Sequence, residues 1–303
     1  MIRFAARRAA AGLLFVFLVG VSAFVLTHAA PGDATTELKA IGATSAEIAA
    51  ERARLGLDQP FSTQLARWAR GLATGDLGMS SQYRRPVGGL VLESAGRTAL
   101  LAAAALALAT LIGIPLGIVS GATPRHWLAR VTEPISLVLL SMPPLVFSLL
   151  LLFFAATTGV LSLSPGTLML PMLALALPLA ASLERLQAQA TRDVVAAPDL
   201  VAAAARGLPR SRLIWVHAAR QSLRPVLGIY GIVIGTLFGG SLVVEMVTAW
   251  PGLGRLMYDA LRGRDIDLVA GCALAGAVFL AVGNVVADLL RAVVDPRARE
   301  HAS

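Results

Sequence analysis

The chain has 303 residues, of which 56% are hydrophobic and 15% charged, and its mean hydropathy is +0.73. Soluble domains carry about 25% charged residues, so this composition excludes an ordinary soluble protein and indicates a membrane protein. The formal net charge of +8 does not indicate nucleic-acid binding, because the arginines lie in short gaps between apolar blocks. Cys272 is the only cysteine, which excludes an internal disulfide and a cysteine-cluster metal site.

Six apolar blocks have about the length that a helix needs to cross a hydrocarbon core of about 30 Å. They cover Ala10–Ala29, Ala99–Ser120, Pro134–Thr157, Leu168–Leu183, Val226–Thr248 and Leu268–Val293. The first block follows arginines, as in a signal peptide, but its apolar stretch is long for one, and we predict an uncleaved anchor. The predicted fold class is all-α, a polytopic membrane protein with six transmembrane helices.

The distribution of arginine predicts the orientation of these helices. Arginines precede the first block and occur in the gaps 121–133 and 184–225, whereas the gap 159–166 has none. The positive-inside rule then places the N-terminus, the two arginine-bearing gaps and the C-terminus in the cytoplasm. The predicted organisation is an N-terminal anchor helix (1–30), a periplasmic segment (31–97), a five-helix core (98–294) that contains the cytoplasmic loop 184–225, and a cytoplasmic tail (295–303).

Helix-disturbing and small residues occur inside the blocks. Prolines such as Pro143 and Pro144 predict breaks, which a membrane tolerates where protein or a wet cavity shields the backbone. Glycines recur every four residues in two series, Gly113, Gly117, Gly121 and Gly231, Gly235, Gly239. Glycines at this spacing let neighbouring helices approach closely. We predict close packing at each series, with a lining of the translocation pathway as the alternative where two such faces meet.

The gap 184–225 is the most informative part of the sequence. An alanine-rich helix is predicted from Asp199 to Arg206, ending at Gly207, with Pro209 preventing its continuation. An amphipathic stretch, Arg210–Arg224, then leads to the fifth block. A short helix with small side chains and flanking arginines is suited to lie along the membrane surface and to fit a groove of a partner protein.

This loop resembles the EAA loop, the cytoplasmic signature loop of bacterial ATP-driven (ABC) importer permeases. Alanines, a following glycine and a proline near the next span match that pattern, and Leu208 and His217 match the version of the dipeptide/oligopeptide/nickel family. The resemblance implies a coupling helix that docks onto an ATP-hydrolysing subunit. The implied coupling residues are Ala203, Ala204, Gly207, Leu208, His217 and Pro225. The acidic residue that names the motif is missing, with Val201 or Ala202 in its place, which favours docking by shape over an ion pair.

Further matches to this family follow in order along nearly the whole chain. They are Ala30–Asp33, Gly56–Pro60, Gly75–Gly78, Arg85–Val87, Gly239–Gly240, Trp250–Gly254 and Asp295–Arg297. The matches in the periplasmic segment resemble the B-type member of the permease pair. The resemblance implies a C-type permease as partner, two cytoplasmic ATPase subunits, and an extracytoplasmic substrate-binding protein for which the periplasmic segment is a dock or, alternatively, a solvated cap.

Glu245 is an acid well inside an apolar block. Intramembrane carboxylates are costly and usually functional, so Glu245, with Gly239 and Gly240, is a candidate for the translocation pathway or its gate. The alternative is a carboxylate near the external boundary that is hydrated or bonded to the glycine-rich turn after it.

Catalytic motifs are absent from the sequence. Lys39 is the only lysine and lies outside any Walker loop, and neither a Gly-x-Ser-x-Gly elbow nor a His-Glu-x-x-His motif occurs. We therefore expect a transporter subunit and not an enzyme, without metal or cofactor of its own, with ATP and Mg²⁺ bound by partner subunits. A secondary transporter or channel is the alternative, although no internal repeat supports it; a membrane hydrolase is disfavoured. Peptides are the default cargo, with nickel or glycosides open.

Overall fold

The computed structural model describes residues 2–36, 39, 42–162, 164 and 166–294, and their regular secondary structure is helical, without a β-sheet. The helices are α1 (Ile2–Ala29), α2 (Ser45–Leu55), α3 (Phe61–Thr74), α4 (Val87–Ala122), α5 (Trp127–Ser141), α6 (Pro144–Thr158), α7 (Met169–Val195), α8 (Pro198–Ala205), α9 (Arg210–Leu227), α10 (Tyr230–Val247), α11 (Leu253–Arg262) and α12 (Ile266–Val294). The predicted all-α class is confirmed. The predicted tail 295–303 lies outside the described residues.

The described chain contains four to six candidate membrane spans. Four single helices are long and apolar enough to cross a membrane: Ala10–Ala29, Val87–Ala122, Met169–Val195 and Ile266–Val285. Two bent helix pairs, α5 with α6 and α9 with α10, are long and apolar enough only when each pair is counted as one span. The predicted number of six corresponds to counting both pairs.

The third predicted block is not one straight helix. The helix α5 ends at Ser141, α6 begins at Pro144, and their axes differ in direction by 112°. Met142 is extended, with φ −90° and ψ 127°, because a following proline disfavours the α-helical region. The consecutive prolines Pro143 and Pro144 also remove two backbone donors. The break was anticipated from these prolines, whereas its size is a property of the folded chain.

By contacts, the chain divides into two units. Among the described residues, one consists of Ala99–Trp250 and Val282–Val294, and the other of Ile2–Thr98 and Pro251–Ala281. The domain boundaries predicted from the sequence, at residues 30, 97 and 294, group the elements differently and stay a prediction.

The second unit combines α1 and the segment up to Thr98 with α11 and the first part of α12. Phe24, Trp68, Ala270 and Leu274 form one of its apolar clusters. Buried Asp265 joins distant parts of this unit, because its Oδ2 accepts hydrogen bonds from the Ser80 hydroxyl (2.6 Å) and the Gln82 N–H (3.2 Å). Its Oδ1 accepts from the Leu268 N–H (3.1 Å) and so caps the N-terminus of α12.

Asp33, at the end of the Ala30–Asp33 match, is held in a charged form in this unit. Partial burial on its own raises the pKa of the carboxyl group. Hydrogen bonds from the Thr35 N–H and hydroxyl and the charge of Arg52, 2.7 Å away, outweigh burial and lower the pKa below its ordinary value. Asp33 therefore fixes the turn after α1 and connects it to α2.

In the first unit, the glycine series of α4 packs against α7. A Cβ atom added at Gly113, Gly117 or Gly121 would lie 2.4–2.6 Å from a backbone carbonyl oxygen of α7, closer than packed atoms approach. The prediction of close packing is confirmed for this series. At Gly239, by contrast, a Cβ would meet nothing within 4 Å among the described residues, so close packing is not found at this member of the second series.

Candidate functional site

The helix α8 is the predicted alanine-rich helix. It covers Pro198–Ala205, one residue from the predicted Asp199–Arg206 at each end. Pro198 occupies the first helical position, where its missing N–H has no helical partner to lose. After the helix, Gly207 has φ +84°, and its N–H donates to the Ala204 carbonyl (3.0 Å). This left-handed conformation favours glycine and ends the helix.

The two faces of α8 differ in burial. Leu200 and Ala203 are buried, whereas Val201 is 57% exposed and Ala204 and Gly207 also lie at the surface. The predicted coupling residue Ala203 therefore packs inside the chain, while Ala204 and Gly207 belong to its exposed surface. This surface is shallow because most of its side chains are methyl groups.

The helix α9 continues from this surface. It includes a π-helical turn, Leu213–Ala218, which contains half-buried His217; such turns occur frequently at functional sites. Leu208 is half-buried beside the start of α9, whereas exposed Pro225 lies in its last turn. The structure thus places Ala204, Gly207 and Leu208 together, and places Pro225 at the opposite end of α9.

Polar contacts attach α8 to the rest of the unit. The Gln221 amide nitrogen on α9 donates to Asp199 Oδ2 on α8 (3.2 Å). The helix α8 also contacts the π-helical turn and α7. The exposed helix is therefore in contact with both α7 and α9.

A polar face on α7 was not predicted as a site. Its members are Glu184, Gln187 and Thr191, all at most 4% exposed. Glu184 accepts hydrogen bonds from the hydroxyl groups of Ser120 on α4 (2.6 Å) and Ser136 on α5 (3.0 Å). The Gln187 amide nitrogen donates to the hydroxyl oxygens of Ser222 on α9 (2.7 Å) and Thr191 (3.1 Å).

These residues were missed because the fourth apolar block was ended at Leu183, where charged and amide residues begin. The helix instead continues to Val195. The available signal was the spacing of Glu184, Gln187 and Thr191, which places them on one helix face. A polar helix face bordered by alanines is compatible with burial against other helices as well as with exposure to solvent.

Glu245 lies on α10 and is fully buried. Within the described chain the side chain is thus shielded from solvent, and both its role in the pathway and its bonding to the glycine-rich turn stay predictions. The Trp250 N–H donates to the backbone carbonyl of Glu245 (3.0 Å), across a turn in which Ala249 has φ +56°. Of the two associated glycines, Gly239 is exposed and Gly240 is half-buried.

Comparison with known proteins assigns the chain to a family. Residues 113–300 match the family model described as binding-protein-dependent transport system inner membrane component, and residues 1–96 match the model of its N-terminal region. The chain is 31% identical to the oligopeptide transport system permease protein AppB of Bacillus subtilis over 307 residues, which cover 96% of this chain and 97% of AppB. It is 30% identical to the glutathione transport system permease protein GsiC of Escherichia coli K12 over 289 residues, which cover 94% of both chains.

The family matches and the full-length similarity agree with the presence of apolar helices in the structure. They show a transporter subunit of the inner membrane, and its family works with ATPase and substrate-binding partners. The chain belongs to the family of binding-protein-dependent transport system inner membrane components.

Proposed function

We propose that this chain is the B-type permease subunit of an ATP-driven importer for di- or oligopeptides or a related small solute. It forms half of the translocation pathway, and a C-type permease forms the other half. The observation that carries this proposal is the exposed, methyl-rich surface of α8, ended by the left-handed Gly207. The cargo class is supported by the names of the relatives, which are oligopeptide and glutathione permeases.

In this proposal the surface formed by α8, Gly207 and Leu208 docks into a groove of a cytoplasmic ATPase subunit. Two such subunits bind ATP and Mg²⁺ and perform the hydrolysis. The shallow surface supports docking by shape, since alanine side chains let a partner backbone approach closely. Exposed Val201, which with Ala202 is one of the two residues that can occupy the position of the acid in the family motif, adds an apolar contact.

The segment 31–97 is proposed to dock the substrate-binding protein on the opposite side of the membrane. The unit that contains this segment has a cavity of about 160 Å³. The cavity is lined in part by charged side chains, which include Arg67, Asp76, Arg264 and Asp267. Charged groups that line a cavity are suited to orient a polar partner.

The mechanism follows from these contacts. Nucleotide-driven closure of the ATPase subunits displaces α8, and the membrane helices exchange between inward and outward access. This is a two-state equilibrium that nucleotide and the loaded binding protein bias through their different affinities for the two states.

Co-purification tests the proposal. The tagged chain is isolated from its native membrane in mild detergent, and the ATPase activity of the recovered complex is measured. A second permease and ATPase subunits are expected with it. A chain that purifies alone and transports solute after reconstitution without ATP would contradict the proposal and favour a secondary transporter.

The variant Gly207→Asp is expected to reduce the recovered ATPase activity by about tenfold or more. A carboxylate on the docking surface loses hydration when the interface forms, and a loss of about 1.4 kcal/mol in binding is already tenfold. The matched control is Gly159→Asp, since Gly159 also has positive φ (+66°) and no atom within 4 Å of an added Cβ. Equal loss of ATPase subunits in both variants would show an effect of backbone strain and not of docking.

The variant Glu245→Gln is expected to lower the rate of ATP-driven uptake by about tenfold or more while the complex still assembles, because the amide keeps the volume of the buried side chain and removes its ability to ionise. Uptake and assembly are measured in the same preparation. The control is Glu93→Gln on α4, where the carboxylate is exposed and pairs with Arg97. Normal uptake by Glu245→Gln would exclude Glu245 from the pathway.

A further inference from the structure

Three polar residues of α7 face the interior of the first unit. Glu184, Gln187 and Thr191 follow one another at helical spacing, and each is at most 4% exposed. Burial of a polar side chain is unfavourable unless it forms hydrogen bonds. Their position on one buried face therefore requires partners on neighbouring helices.

The first contact of this face joins α7 to two apolar helices. Ser120 of α4 donates to Glu184 Oε1 at 2.6 Å, and Ser136 of α5 donates to Oε2 at 3.0 Å. One carboxyl group thus holds three helices through both of its oxygens. Since Gly117 and Gly121 of α4 also contact α7 closely, α4 and α7 are fixed against each other by shape and by hydrogen bonding.

The second contact joins the same face to α9. Gln187 donates to Ser222 at 2.7 Å, and the Thr191 hydroxyl lies 3.2 Å from the Ser222 oxygen. The Ser222 hydroxyl donates to the carbonyl of Ala219 (3.3 Å). Both hydroxyl groups therefore retain a partner when the Gln187 side chain is removed.

Gln187 is not placed for maximal stability. Its side chain is fully buried, yet its Oε1 atom accepts no hydrogen bond from the described residues. A buried acceptor without a donor destabilises the fold, so an apolar side chain of similar size has little to lose at this position. A glutamine at this buried position is better explained by a role other than stability.

Adjacent residues of α9 connect this contact to α8. Gln221 donates to Asp199 on α8 at 3.2 Å, and the next residue, Ser222, accepts from Gln187 on α7. The helix α9 is thus held by α8 on one side and by the polar face of α7 on the other. The helix α9 thus lies between α8 and α7, and the hydrogen bond between Gln187 and Ser222 is a polar link within the wider packing of α9 on α7.

We propose that Gln187 and Ser222 are positioning residues for energy coupling, which transmit the displacement of α8 through α9 to α7 and, through Glu184, to α4 and α5. The inference rests on the proposed function, because it takes α8 to be the ATPase-docking helix. It adds the route within this chain by which ATPase closure reaches the membrane helices.

The test uses the complete importer in proteoliposomes, with its binding protein, a peptide cargo and ATP. Transport and ATP hydrolysis are measured together for Gln187→Leu and for the matched control Gln189→Leu. Gln189 lies on the same helix, is exposed, and bonds only to Asp193 one turn later in the described chain (3.0 Å). The quantity of interest is the number of solute molecules transported per ATP hydrolysed.

For Gln187→Leu we expect normal assembly and ATP hydrolysis within about twofold of the wild type. The transport-to-hydrolysis ratio is expected to fall by about fivefold or more, because about fivefold is the lower end of typical coupling between sites. Gln189→Leu is expected to keep the wild-type ratio. Ser222→Ala is expected to lower the ratio in the same direction, and the double variant to be no worse than the more severe single variant, because the two side chains act through one contact.

An unchanged ratio in Gln187→Leu would overturn the inference, as would a loss of transport in strict proportion to ATP hydrolysis or to the amount of assembled complex. If Gln187→Leu does not assemble, the ratio measured for Ser222→Ala decides. Failure of the proposed function is distinguishable, since the wild-type complex would then show no ATP-dependent transport. A coupled wild type with equally coupled variants would reject only the positioning role.

Discussion

Replacing Gly113 by leucine is expected to destabilise the permease by about 3 kcal/mol or more, the largest effect of any substitution predicted for this chain. A Cβ at this position would lie 2.6 Å from the backbone oxygen of Ala180 and 3.0 Å from the Cβ of Leu183. The backbone oxygen cannot move aside as a flexible side chain does, so α4 and α7 would have to separate. The measurement is the fraction of protein that remains monodisperse after heating in detergent.

The control for this prediction is Gly96→Leu on the same helix. A Cβ at Gly96 meets nothing within 4 Å, and leucine is a better helix former than glycine by about 1 kcal/mol. The control is therefore expected to be neutral or slightly stabilising. Equal thermal stability of the two variants would show that the close contact between α4 and α7 does not exist in the membrane.

The variant Asp265→Ala is expected to destabilise the second unit by about 2–4 kcal/mol, from the loss of a helix cap and of the acceptor for the buried Ser80 hydroxyl and the partly buried Gln82 N–H. Asp265 is 1% exposed and accepts from Ser80, Gln82 and Leu268. The loop that contains Ser80 should then open more often. Tryptic cleavage of the bond between Arg84 and Arg85 should then accelerate. Arg84 is exposed, and trypsin can cleave after it because the next residue is not proline.

Two further variants separate the causes of this effect. Asp265→Asn keeps one acceptor oxygen and a residue type that caps helices well, so its effect should be intermediate. Asp58→Ala removes an exposed carboxylate and should change stability by less than about 0.5 kcal/mol. A wild-type rate of cleavage in Asp265→Ala would contradict the role of Asp265 in holding this loop.

The start and end of α8 illustrate what local sequence predicts well. Gly207 and Pro209 end the helix through the φ angle and the missing N–H, both properties of single residues. The predicted limits are therefore within one residue of the observed ones. The residues that dock a partner were less predictable, since burial of Ala203 and exposure of Ala204 depend on which face of α8 meets α7 and α9.

The fourth block illustrates a failure with a physical cause. Hydropathy falls at Glu184, so a prediction based on hydropathy ends the helix there. The chain stays helical to Val195 because Ser120, Ser136 and Ser222 supply hydrogen bonds to the polar face. These partners lie on other helices, 31 to 64 residues away in sequence. No local window of the sequence therefore contains them.

By itself, the sequence determined the all-α membrane class, the approximate positions of the apolar helices, and the family, because apolar length, turn residues and ordered motifs are local properties of the chain. Only the tertiary structure decided where glycines at this spacing pack closely, since Gly113 and Gly239 belong to series of the same spacing, but among the described residues a Cβ at Gly113 meets another helix and one at Gly239 does not. It also decided the 112° break between α5 and α6 and the buried contacts of Glu184 and Gln187. These features depend on the atoms that a helix face meets after folding, and spacing along one helix identifies the face without identifying its partner.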